Sequence, residues 1–518
     1  MKDNYTKRLL SFNNKEDVKT PKVMVQVGQC SNSVGAQHIL ALLKSSNISA
    51  DLIESGCDGL CFLAPKVILQ YSNKTTSIFN NVSENDVEMI SNEINSLKKK
   101  GNANNLATEL LNNQTRIAMA QCGYSDPSNA KSYISEGGYI GLAKALGTKQ
   151  DEVISEIEES KLLGRGGAYF PTGLKLQAVR KTESKSKYVV INAEEGEPGV
   201  FKDRHLLEGV PHRIIEGAII SAYAVNATQI IFYINAKAKL SLARLKNAID
   251  QCYKLNILGQ NILGSKYSVE VDIIQGAGGY VCGEETTLLN TMEGDRREPR
   301  IKPPFPTESG YKSSPTLVNN CETLSNIPFI LTNGATSFKR FGCENAYGTK
   351  IISLSGDVNR PGVFEVQMGT SIDKIIKIFG GGGIGENPEN AVSIGGPSSG
   401  VLPHNQLHIK IMPGRIHETG IMLGAGGLVV LKDKTNVLQF IKNLAKYNAD
   451  ESCGKCTPCR EGTPRIVNML EKLKPSTDTA AYREELSDLA EVVSSASLCG
   501  LGQGAGTPIK SFLHFWPD

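Results

Sequence analysis

The sequence predicts a multidomain α/β protein, and three observations carry that prediction. Its 518 residues are more than one hydrophobic core usually organises, and 40% of them are hydrophobic, which is enough for several cores. β-rich runs at 187–192, 229–235 and 267–274 alternate with segments of helical periodicity. That alternation is typical of a parallel sheet flanked by helices. From Asn436 onward the chain is helical, with one cysteine-rich interruption.

The charge and the apolar segments argue against two classes of protein. A net charge of +3, from 56 Lys and Arg against 53 Asp and Glu, gives no electrostatic case for nucleic-acid binding. No apolar run approaches the ~18–20 residues that a membrane-spanning helix needs, and the polar start of the chain carries no secretory signal. We therefore expect a cytoplasmic protein, in which clustered cysteines are metal ligands or redox groups rather than disulfides.

The first 115 residues predict a tail followed by a small α/β module. Residues 1–21 are expected to form a flexible or docking tail. Residues 22–115 contain β-rich runs, a helix at Ala36–Leu43 and, within an Asn- and Lys-rich connector, an amphipathic helix near Val87–Leu97.

Residues 341–434 change character and predict a β-grasp (ubiquitin-like) module. The runs IISLSGDV and VFEV flank the turn NRPG, which indicates a hairpin. A short helix at 371–379 and a run of four glycines follow. Residues 435–518 are then expected to form a helical bundle.

Four cysteines in that bundle have the spacing of an iron–sulfur site. Cys453, Cys456 and Cys459 form C-x2-C-x2-C, and Cys499 lies further along the chain. Three thiolates from one tight loop and one distant thiolate suit a [4Fe-4S] cube, whose four irons each take one sulfur ligand. Structural zinc more often uses two paired knuckles. Zinc and cysteines of purely structural role are the alternatives.

Three further segments predict a ligand site at the carboxyl edge of the sheet. Leu163–Lys175 (LGRGGAYFPTGLK) combines glycines, which allow close backbone approach, with two basic residues, and suits a phosphate-bearing ligand. Asn192–Arg204 and Gly276–Asn290 each follow a predicted strand, where open α/β sheets bind ligands. Glu284 and Glu285 either complement the dipole of the next helix or accept hydrogen bonds from ribose hydroxyl or flavin N–H groups.

These segments, in this order, resemble the flavoprotein subunit of respiratory complex I and its relatives in NAD-reducing hydrogenases, formate dehydrogenases and electron-bifurcating complexes. The resemblance covers about residues 116–518 and also rests on KPPFP, LVNNCET, SLSGDVNRPGVFEV, ESCGKCTPCREG and SLCGLG. It implies a Rossmann-like domain at 116–340 that binds FMN and NAD(H). It also implies that the four cysteines of the bundle bind a [4Fe-4S] cluster.

The resemblance assigns cofactor-binding positions residue by residue. Those for FMN are Gly164, Arg165, Gly166, Lys175, Asn192, Glu194, Tyr280, Gly283, Glu284, Asn319, Asn320 and Thr323. Those for NAD(H) are Gly167, Ala168, Phe170, Glu197, Glu285, Lys302 and Phe305. The two phenylalanine rings would stack on the adenine, with core packing as the alternative. Because FMN performs the hydride transfer, no catalytic residue is named.

Two positions depart from the family pattern. Tyr169 stands where the family loop has glycine, and Glu194 stands where the family has aspartate. The tyrosine adds volume beside the cofactors and the glutamate is one methylene longer, which puts the usual cofactor geometry in question. Both motivate an alternative function, an electron-wiring or structural subunit with lost or altered flavin or dinucleotide binding.

Residues 22–70 resemble the thioredoxin-like [2Fe-2S] module that relatives carry at the N-terminus. Cys30, Cys57 and Cys61 match its ligands, but the fourth would fall near Gly35, which has no side chain. The sequence leaves two alternatives for these residues, a [2Fe-2S] cluster or three cysteines without a redox role. The resemblance as a whole implies an NAD(H)-dependent oxidoreductase subunit of a soluble iron–sulfur complex, with a thioredoxin-like [2Fe-2S] subunit and a further iron–sulfur subunit of a hydrogenase, formate dehydrogenase or similar enzyme as partners.

Overall fold

The computed structural model shows a multidomain α/β protein. It describes residues 2–12, 21–71, 75–96, 105–276, 278–382, 391–432, 437–474, 476 and 478–517. Within these residues the strands form two four-stranded sheets, a five-stranded sheet and a two-stranded ribbon. None of the described helices is long and apolar enough to cross a membrane.

The N-terminal part contributes α1 (Lys2–Leu10), β1 (Lys22–Gln26), α2 (Gln29–Asn32), α3 (Ala36–Ser45), β2 (Asp51–Ser55), β3 (Val67–Gln70), β4 (Thr76–Phe79), α4 (Val87–Ser96) and α5 (Asn105–Asn112). Its sheet has the order β2–β1–β3–β4, in which β1 and β2 are parallel and β3 is antiparallel to both of its neighbours. The predicted helices are confirmed as α3 and α4. Residues 72–74 and 97–104 of the predicted connector lie outside the described residues.

The central part contributes α6 (Ala130–Ser135), α7 (Ile140–Leu146), α8 (Gln150–Glu159), α9 (Thr172–Lys181), β5 (Tyr188–Ala193), α10 (Lys202–Gly209), α11 (Pro211–Val225), β6 (Gln229–Asn235), α12 (Lys239–Lys254), β7 (Glu270–Gly276), α13 (Glu285–Glu293), α14 (Pro306–Ser309), β8 (Thr316–Asn320), α15 (Cys321–Asn333) and α16 (Ala335–Phe338). Its sheet is parallel, in the order β7–β6–β5–β8, and contains the three predicted strands. The register pairs Asn192 at the end of β5 with Asn320 at the end of β8. The loops after both strands therefore open at the same edge of the sheet.

Residues 2–12 do not form the flexible tail that the sequence predicted. Residues Lys2–Leu10 are helical, and Leu9 is fully buried in the core that also contains Leu142 and Ile154. Burial of this apolar side chain against α7 fixes the helix, so these residues follow the docking alternative and not the flexible one. Residues 13–20 lie outside the described residues.

The third part contributes β9 (Gly342–Cys343), β10 (Ala346–Tyr347), β11 (Thr349–Gly356), β12 (Gly362–Gln367), α17 (Ile372–Lys374), β13 (Ala391–Ile394), β14 (Gly400–Pro403) and β15 (Gly427–Leu431). Its sheet has the order β12–β11–β15–β13–β14, with β11 parallel to β15. The predicted hairpin is confirmed as β11 and β12. The helix predicted at 371–379 begins as α17 and continues as a π-helical turn over Ile375–Phe379.

Helix α5 lies in the stretch that the sequence predicted as a connector. Ala107 and Leu110 are buried in a core that contains Leu60 and Leu63 of the N-terminal part as well as Ile352 and Phe364 of the third part. The helix therefore packs where these two parts meet.

The C-terminal part contributes α18 (Val437–Asp450), α19 (Thr457–Lys472), α20 (Ala480–Ala496), α21 (Gly500–Ala505) and α22 (Thr507–Phe515), which confirms the predicted helices. Asn436, Gly383 of the predicted glycine run and Asp518 lie outside the described residues. Cys456 immediately precedes α19, and Cys499 immediately precedes α21. Both cysteines therefore sit at helix N-termini that face a common region.

Buried polar contacts join the central and third parts. Glu365 on β12 accepts hydrogen bonds from the three backbone N–H groups of residues 117–119, at 2.8–2.9 Å. Glu322 on α15 accepts from the ammonium of Lys350 at 2.6 Å and from the backbone N–H of Ile351 at 2.8 Å. Both carboxylates are fully buried, so these bonds replace the water that each group would otherwise need. They fix the third part against the central sheet.

Candidate functional site

A cleft of about 390 Å³ opens at the carboxyl edge of the parallel sheet. Its walls come from the loops that precede α9 and follow β5 and β7, from glycine-rich stretches of the third part, and from Gly500 and Leu501 at the start of α21. This edge of an open α/β sheet is the usual position of a ligand.

Many of the residues that the sequence predicted for cofactor binding line this cleft. From the FMN set they are Gly166, Asn192, Glu194, Tyr280, Gly283, Glu284 and Asn320. From the NAD(H) set they are Gly167, Ala168 and Glu197. Residues that are far apart in the sequence are thus brought to one site.

Asn192 ties two loops of the cleft together. Its Nδ2 donates to the carbonyl oxygen of Gly283 at 2.8 Å, and its Oδ1 accepts from the backbone N–H of Glu194 at 3.2 Å. A Cβ added at Gly166 would lie 3.1 Å from the Cβ of Asn320, and Gly167 has a φ of +116°, which residues with side chains rarely adopt. The loop therefore needs its glycines to approach the cleft this closely.

Polar atoms in this region are buried without a hydrogen-bond partner among the described residues. Glu194 Oε2 and Glu197 Oε1 belong to residues that line the cleft, and Asn319 Nδ2 belongs to the residue of β8 that precedes the cleft residue Asn320. Burial raises the pKa of Glu194 to about 7, although a hydrogen bond that Asn235 donates to its Oε1 at 2.6 Å limits the rise. Burial likewise raises the pKa of Glu197 to about 7. Unpaired buried polar atoms are costly, so this set fits a polar ligand such as FMN.

Some residues of the predicted FMN set lie outside the walls of the cleft: Gly164, Arg165, Lys175, Asn319 and Thr323. The guanidinium of Arg165 is buried and donates to the carbonyl oxygens of Leu163, Tyr347 and Thr349, each at 2.8 Å. Its backbone N–H donates to Thr323 Oγ1 at 2.8 Å. Arg165 and Thr323 thus hold the glycine-rich loop in place, while the side-chain charge of Arg165 points into the protein.

A buried group of charges lies behind the cleft. The ammonium of Lys202 lies 2.8 Å from Asp203 Oδ1 and 3.0 Å from Glu322 Oε2, and it donates to Asn320 Oδ1 at 3.1 Å. Asn320 Nδ2 in turn donates to Asp203 Oδ2 at 2.6 Å. Burial alone would lower the pKa of Lys202, but Asp203 and Glu322 outweigh it and raise that pKa. This network orients Asn320 and Asp203, which both line the cleft.

The aromatic pair of the predicted NAD(H) set is accessible to solvent. Phe170 and Phe305 are each 51% exposed, so the alternative of core packing is wrong for both rings. Exposed aromatic faces of this kind are available to stack on a planar ligand.

Two lysines share one carboxylate beside these rings. Lys175 Nζ lies 3.3 Å from Glu285 Oε2, and Lys302 Nζ lies 3.2 Å from Glu285 Oε1. Burial would raise the pKa of Glu285, but the two ammonium groups outweigh it, so the pKa lies below its ordinary value. Glu285 is therefore an ionised carboxylate whose charge is balanced by two cations.

Glu284 caps helix α13. Its Oε2 accepts hydrogen bonds from the backbone N–H groups of Thr286 at 2.9 Å and Thr287 at 2.8 Å, and its Oε1 lies 3.1 Å from the ammonium of Lys302. The interpretation of Glu284 as a residue that complements the helix terminus is confirmed. Glu284 also lines the cleft, so the residue that caps helix α13 is part of the cleft wall.

Tyr169, the first departure from the family pattern, turns away from the cleft. Its φ of +53° is the left-handed conformation that a glycine would adopt easily. The ring is 6% exposed and packs in the core of the third part with Leu354 and Leu423, and its hydroxyl donates to the carbonyl oxygen of Gly424 at 3.0 Å. The added volume is accommodated outside the cleft.

The sequence analysis missed the contribution of the third part to this site. Two stretches, SIGGPSSG and MLGAGG, have the glycine-rich composition that drew attention to Leu163–Lys175 and were the available signal. The cleft residues that the prediction omitted are Glu195, Gly196, Val200, Asp203, Val281, Gly395, Ser398, Ser399, Gly414, Met422, Gly424, Ala425, Gly500 and Leu501.

The four cysteines of the C-terminal part converge on one apolar patch. Cys453, Cys456, Cys459 and Cys499 pack with Tyr280, Val281 and Leu501, and all four are free thiols. Burial raises the pKa of Cys499 to about 11. Four sulfur donors in one patch fit a [4Fe-4S] cluster. Because Tyr280, Val281 and Leu501 also line the cleft, the cluster site lies directly behind its wall.

The three N-terminal cysteines also come together. Cys30, Cys57 and Cys61 line a small cavity of about 20 Å³ between the N-terminal part and α10. A hydrogen bond with Cys61 lowers the pKa of Cys30 to about 6 against the effect of burial, and Arg204 adds to the lowering. Gly35, where the fourth ligand was expected, is not among the residues that line this cavity, and a Cβ added to it would meet nothing within 4 Å.

Known protein families match three stretches of the chain. Residues 157–329 match the Nuo51 FMN-binding domain, and residues 351–402 match the SLBB domain. Residues 439–518 match the NADH-ubiquinone oxidoreductase-F iron-sulfur binding region, which favours the cluster over zinc at the C-terminal cysteines.

Two relatives are similar over most of the chain. NADP-reducing hydrogenase subunit HndC of Solidesulfovibrio fructosivorans is 42% identical over 405 residues, which are 78% of this chain and 82% of that protein. An NADH-quinone oxidoreductase subunit of Rhizobium meliloti is 40% identical over 386 residues, or 74% of this chain and 92% of that protein. The chain belongs to the family of NADH-binding flavoprotein subunits of complex I-like enzymes. As a member of this flavoprotein family it is an NAD(H)-dependent oxidoreductase subunit with FMN and a [4Fe-4S] cluster, which confirms the resemblance found in the sequence.

A solved structure extends the similarity to nearly the whole chain. A chain in the crystal structure of an NAD+-reducing [NiFe]-hydrogenase in the air-oxidised state is 25% identical, with a TM-score of 0.65. The match covers 98% of this chain and 86% of the hydrogenase chain. The likeness between these two flavoprotein-family chains therefore includes the N-terminal part.

Proposed function

We propose that this chain binds FMN and NAD(H) in the cleft and its rim and exchanges single electrons with a [4Fe-4S] cluster held by Cys453, Cys456, Cys459 and Cys499. FMN, when bound, supplies hydride exchange with NAD(H) and single-electron exchange with a cluster. The observation that carries the proposal is the loop Tyr280–Gly283. Tyr280, Val281 and Gly283 line the cleft, and Tyr280 and Val281 also pack against the four cysteines.

The residues of the cleft would hold FMN through hydrogen bonds and close backbone contacts. Glu194 and Glu197 offer buried polar atoms without partners among the described residues, and Asn192 and Asn320 keep the adjoining loops in place. Gly166, Gly167, Ala168 and Gly283 would let the ligand approach the backbone.

The rim would hold the dinucleotide. Phe170 and Phe305 present exposed rings for the adenine, and Lys302 presents an ammonium group for the phosphates, while Lys175, assigned to FMN, binds the other oxygen of Glu285. Glu285, between the two lysines, would accept hydrogen bonds from the ribose hydroxyls.

The fold names and domain bounds belong to the same proposal. We assign a thioredoxin-like module to the four-stranded mixed sheet of the N-terminal part, a Rossmann-like domain to 116–340, a β-grasp module to 341–434 and the cluster-binding bundle to 435–518. The strand orders support the first three. Residues up to 115, which include α5, are assigned to this module and its connector.

We also propose that partner subunits with iron–sulfur centres take up the electrons. The relatives are named as subunits of a hydrogenase and of a quinone oxidoreductase. Cys453, Cys456 and Cys499 are only half-buried in the isolated chain, so a partner can approach the cluster from outside.

The test uses the full chain, reconstituted anaerobically with FMN, iron and sulfide. We expect about one FMN per chain and reduction of an artificial dye by a nicotinamide dinucleotide. Gly283→Leu should reduce FMN content strongly, because the side chain enters the cleft while the nearest atom to its Cβ is the carbonyl oxygen of Glu194 at 3.7 Å. Ser155→Leu, which adds the same side chain at an exposed position of α8, is the matched control. A folded chain that binds iron but neither takes up FMN nor reduces the dye would refute the proposal.

A further inference from the structure

We propose that His205 is the fourth protein ligand of a [2Fe-2S] cluster held by Cys30, Cys57 and Cys61. The inference rests on the proposed function and adds to it a second iron–sulfur centre, in the N-terminal part and near the flavin. The sequence pattern left this ligand open, because its expected position falls on Gly35. The structure supplies a donor from α10, in the central part of the chain.

His205 lines the same cavity as the three thiols. It is 8% exposed, and its Nε2 is buried without a hydrogen-bond partner among the described residues. An imidazole nitrogen with a free lone pair is a common metal ligand. A buried one with no partner would otherwise leave its hydrogen-bonding capacity unused.

The other polar side chains of the cavity are already engaged. Glu208 Oε2 accepts from the backbone N–H of Gln29 at 2.9 Å, and its Oε1 accepts from Ser241 Oγ at 3.3 Å. Ser31 Oγ accepts from the backbone N–H of Gly28 at 2.8 Å and donates to the carbonyl oxygen of the same residue at 3.1 Å. The guanidinium of Arg204 has no lone pair to offer a metal. Among the described residues that line the cavity, His205 is thus the one, besides the thiols, whose buried ligand atom has no hydrogen-bond partner.

The spacing of these four ligand atoms suits two irons better than one zinc ion. A tetrahedral zinc with Zn–S bonds of about 2.3 Å would hold its ligand atoms about 3.8 Å apart. Among the described residues, three such atoms lie within 4.8 Å of one another only at His417, Glu418 and His514. No three of Cys30, Cys57, Cys61 and His205 are that close. In a [2Fe-2S] rhomb each iron takes two protein ligands, so only pairs of ligand atoms need to be close.

The position of the cavity suits a centre that exchanges electrons with the flavin cleft. Neighbouring residues of one short segment line the two sites. The flavin cleft is lined by Val200 and Asp203. The thiol cavity is lined by Phe201, Arg204 and His205. With a rise of about 1.5 Å per residue, Asp203 and His205 on α10 are separated by only about 3 Å along the helix axis. One short stretch of backbone therefore separates the two sites.

The experiment compares reconstituted full chains. The unmodified chain should bind six irons, four in the C-terminal cluster and two here, and the reduced [2Fe-2S] centre should show a nitrogen hyperfine coupling that changes when histidine is labelled with ¹⁵N. His205→Ala should lose two irons. His205→Cys should keep all six irons, lose the nitrogen coupling and have a lower reduction potential, because an anionic thiolate replaces a neutral imidazole.

His212→Ala is the matched control, since His212 Nε2 is also buried without a partner among the described residues but lies on α11, outside the cavity. It should keep six irons and the coupling.

Several results would overturn the inference. They are a His205→Ala chain that keeps six irons and its nitrogen coupling, a native chain with only four irons, and a native chain with zinc at this site. If His205→Ala does not fold, the nitrogen coupling of the native chain and its loss in His205→Cys still decide the matter. FMN content and dye reduction are measured in the same samples. A chain that keeps both but binds only four irons refutes this inference alone, whereas a chain without flavin refutes the proposed function.

Discussion

The hydroxyl group of Tyr169 donates a hydrogen bond to the carbonyl oxygen of Gly424 at 3.0 Å, and its ring lies in the core of the third part. Tyr169→Phe should therefore lower the free energy of unfolding by about 1 kcal/mol, the usual net contribution of one hydrogen bond. FMN content should not change, because the ring does not line the cleft. Thermal unfolding and the fluorescence of extracted flavin measure the two effects.

Tyr223→Phe provides the matched control for this change. The hydroxyl of Tyr223 donates to the carbonyl oxygen of Thr148 at 2.7 Å, away from the cleft. A similar loss of stability is expected. If Tyr169→Phe loses flavin and Tyr223→Phe does not, the placement of the Tyr169 ring outside the cofactor site is wrong.

Glu285→Gln should narrow a preference for NADH over NADPH, mainly by improving the use of NADPH. An ionised carboxylate at the ribose would repel a 2′-phosphate, and two unit charges about 4 Å apart at an effective dielectric constant of about 20 interact by about 4 kcal/mol. Lys175 and Lys302, at 3.3 and 3.2 Å, offset much of this repulsion. We therefore expect a preference of about tenfold in kcat/KM for dye reduction.

The control for the nucleotide preference is Glu293→Gln. Glu293 is on the same helix and forms an ion pair with Arg300 at 2.7 Å, so removing its charge should not change the ratio of the two kcat/KM values. Equal kcat/KM for NADH and NADPH in the unmodified chain would contradict the role assigned to Glu285.

Glu194→Gln should stabilise the flavin-free chain at about pH 8 but not at about pH 4. Burial raises the pKa of Glu194 in the folded chain to about 7, from an ordinary value of 4.5. Between these values the unfolded chain has lost a proton that the folded chain retains, so the free energy of unfolding falls as the pH rises from about 4.5 to 7. Glutamine cannot ionise, and it should remove a loss of about 1–3 kcal/mol. Urea unfolding across this pH range measures the difference.

The exposed Glu152 on α8 supplies the control for this pH dependence. Glu152→Gln removes one negative charge from an exposed position, so it separates the loss of a charge from the effect of burial at Glu194. The free energies of unfolding of Glu194→Gln and the unmodified chain are compared at both ends of the pH range. If they differ by the same amount at each end, Glu194 does not titrate within the range.

Cys456→Ala should remove the [4Fe-4S] cluster and leave FMN content near one per chain. The cysteine belongs to the patch behind the cleft wall and does not line the cleft itself. Iron analysis should show four irons fewer, with the EPR signal of the reduced cluster absent. Cys343→Ala, which removes a half-buried thiol of the third part, should keep the full iron content. Unchanged iron in Cys456→Ala, or zinc in the native protein, would refute the cluster assignment.

Periodic patterns were enough to predict the regular elements, whereas contacts between distant segments were not visible in the sequence. The strand predicted at 229–235 coincides with β6, because a continuous β-branched and aromatic run marks a buried strand. The helix at Lys2–Leu10 was missed, since it depends on burying Leu9 against a helix more than a hundred residues away. The packing of α5 against two parts of the chain was hidden for the same reason.

The residues of the candidate site also fall into two groups, those that the sequence predicted and those that only the folded structure reveals. Motif residues such as Asn192 and Tyr280 were predicted from the resemblance and do line the cleft. Ser398 and Ala425 were missed because they reach it only through the packing of the third part on the central sheet. The side-chain direction of Tyr169 was equally hidden, because it depends on a core formed by residues about 180 to 250 positions later.

The buried contacts between the central and third parts limit how the enzyme can move. Pulling the two parts apart would separate the Glu322 carboxylate from the Lys350 ammonium and release the three amides that Glu365 binds. Water would have to replace all of these buried contacts, which makes a clamshell opening during turnover unfavourable. The cleft is therefore expected to keep the same width during turnover. A nucleotide would be selected by how its shape and charge suit the mouth, and not by a closing motion that follows its arrival.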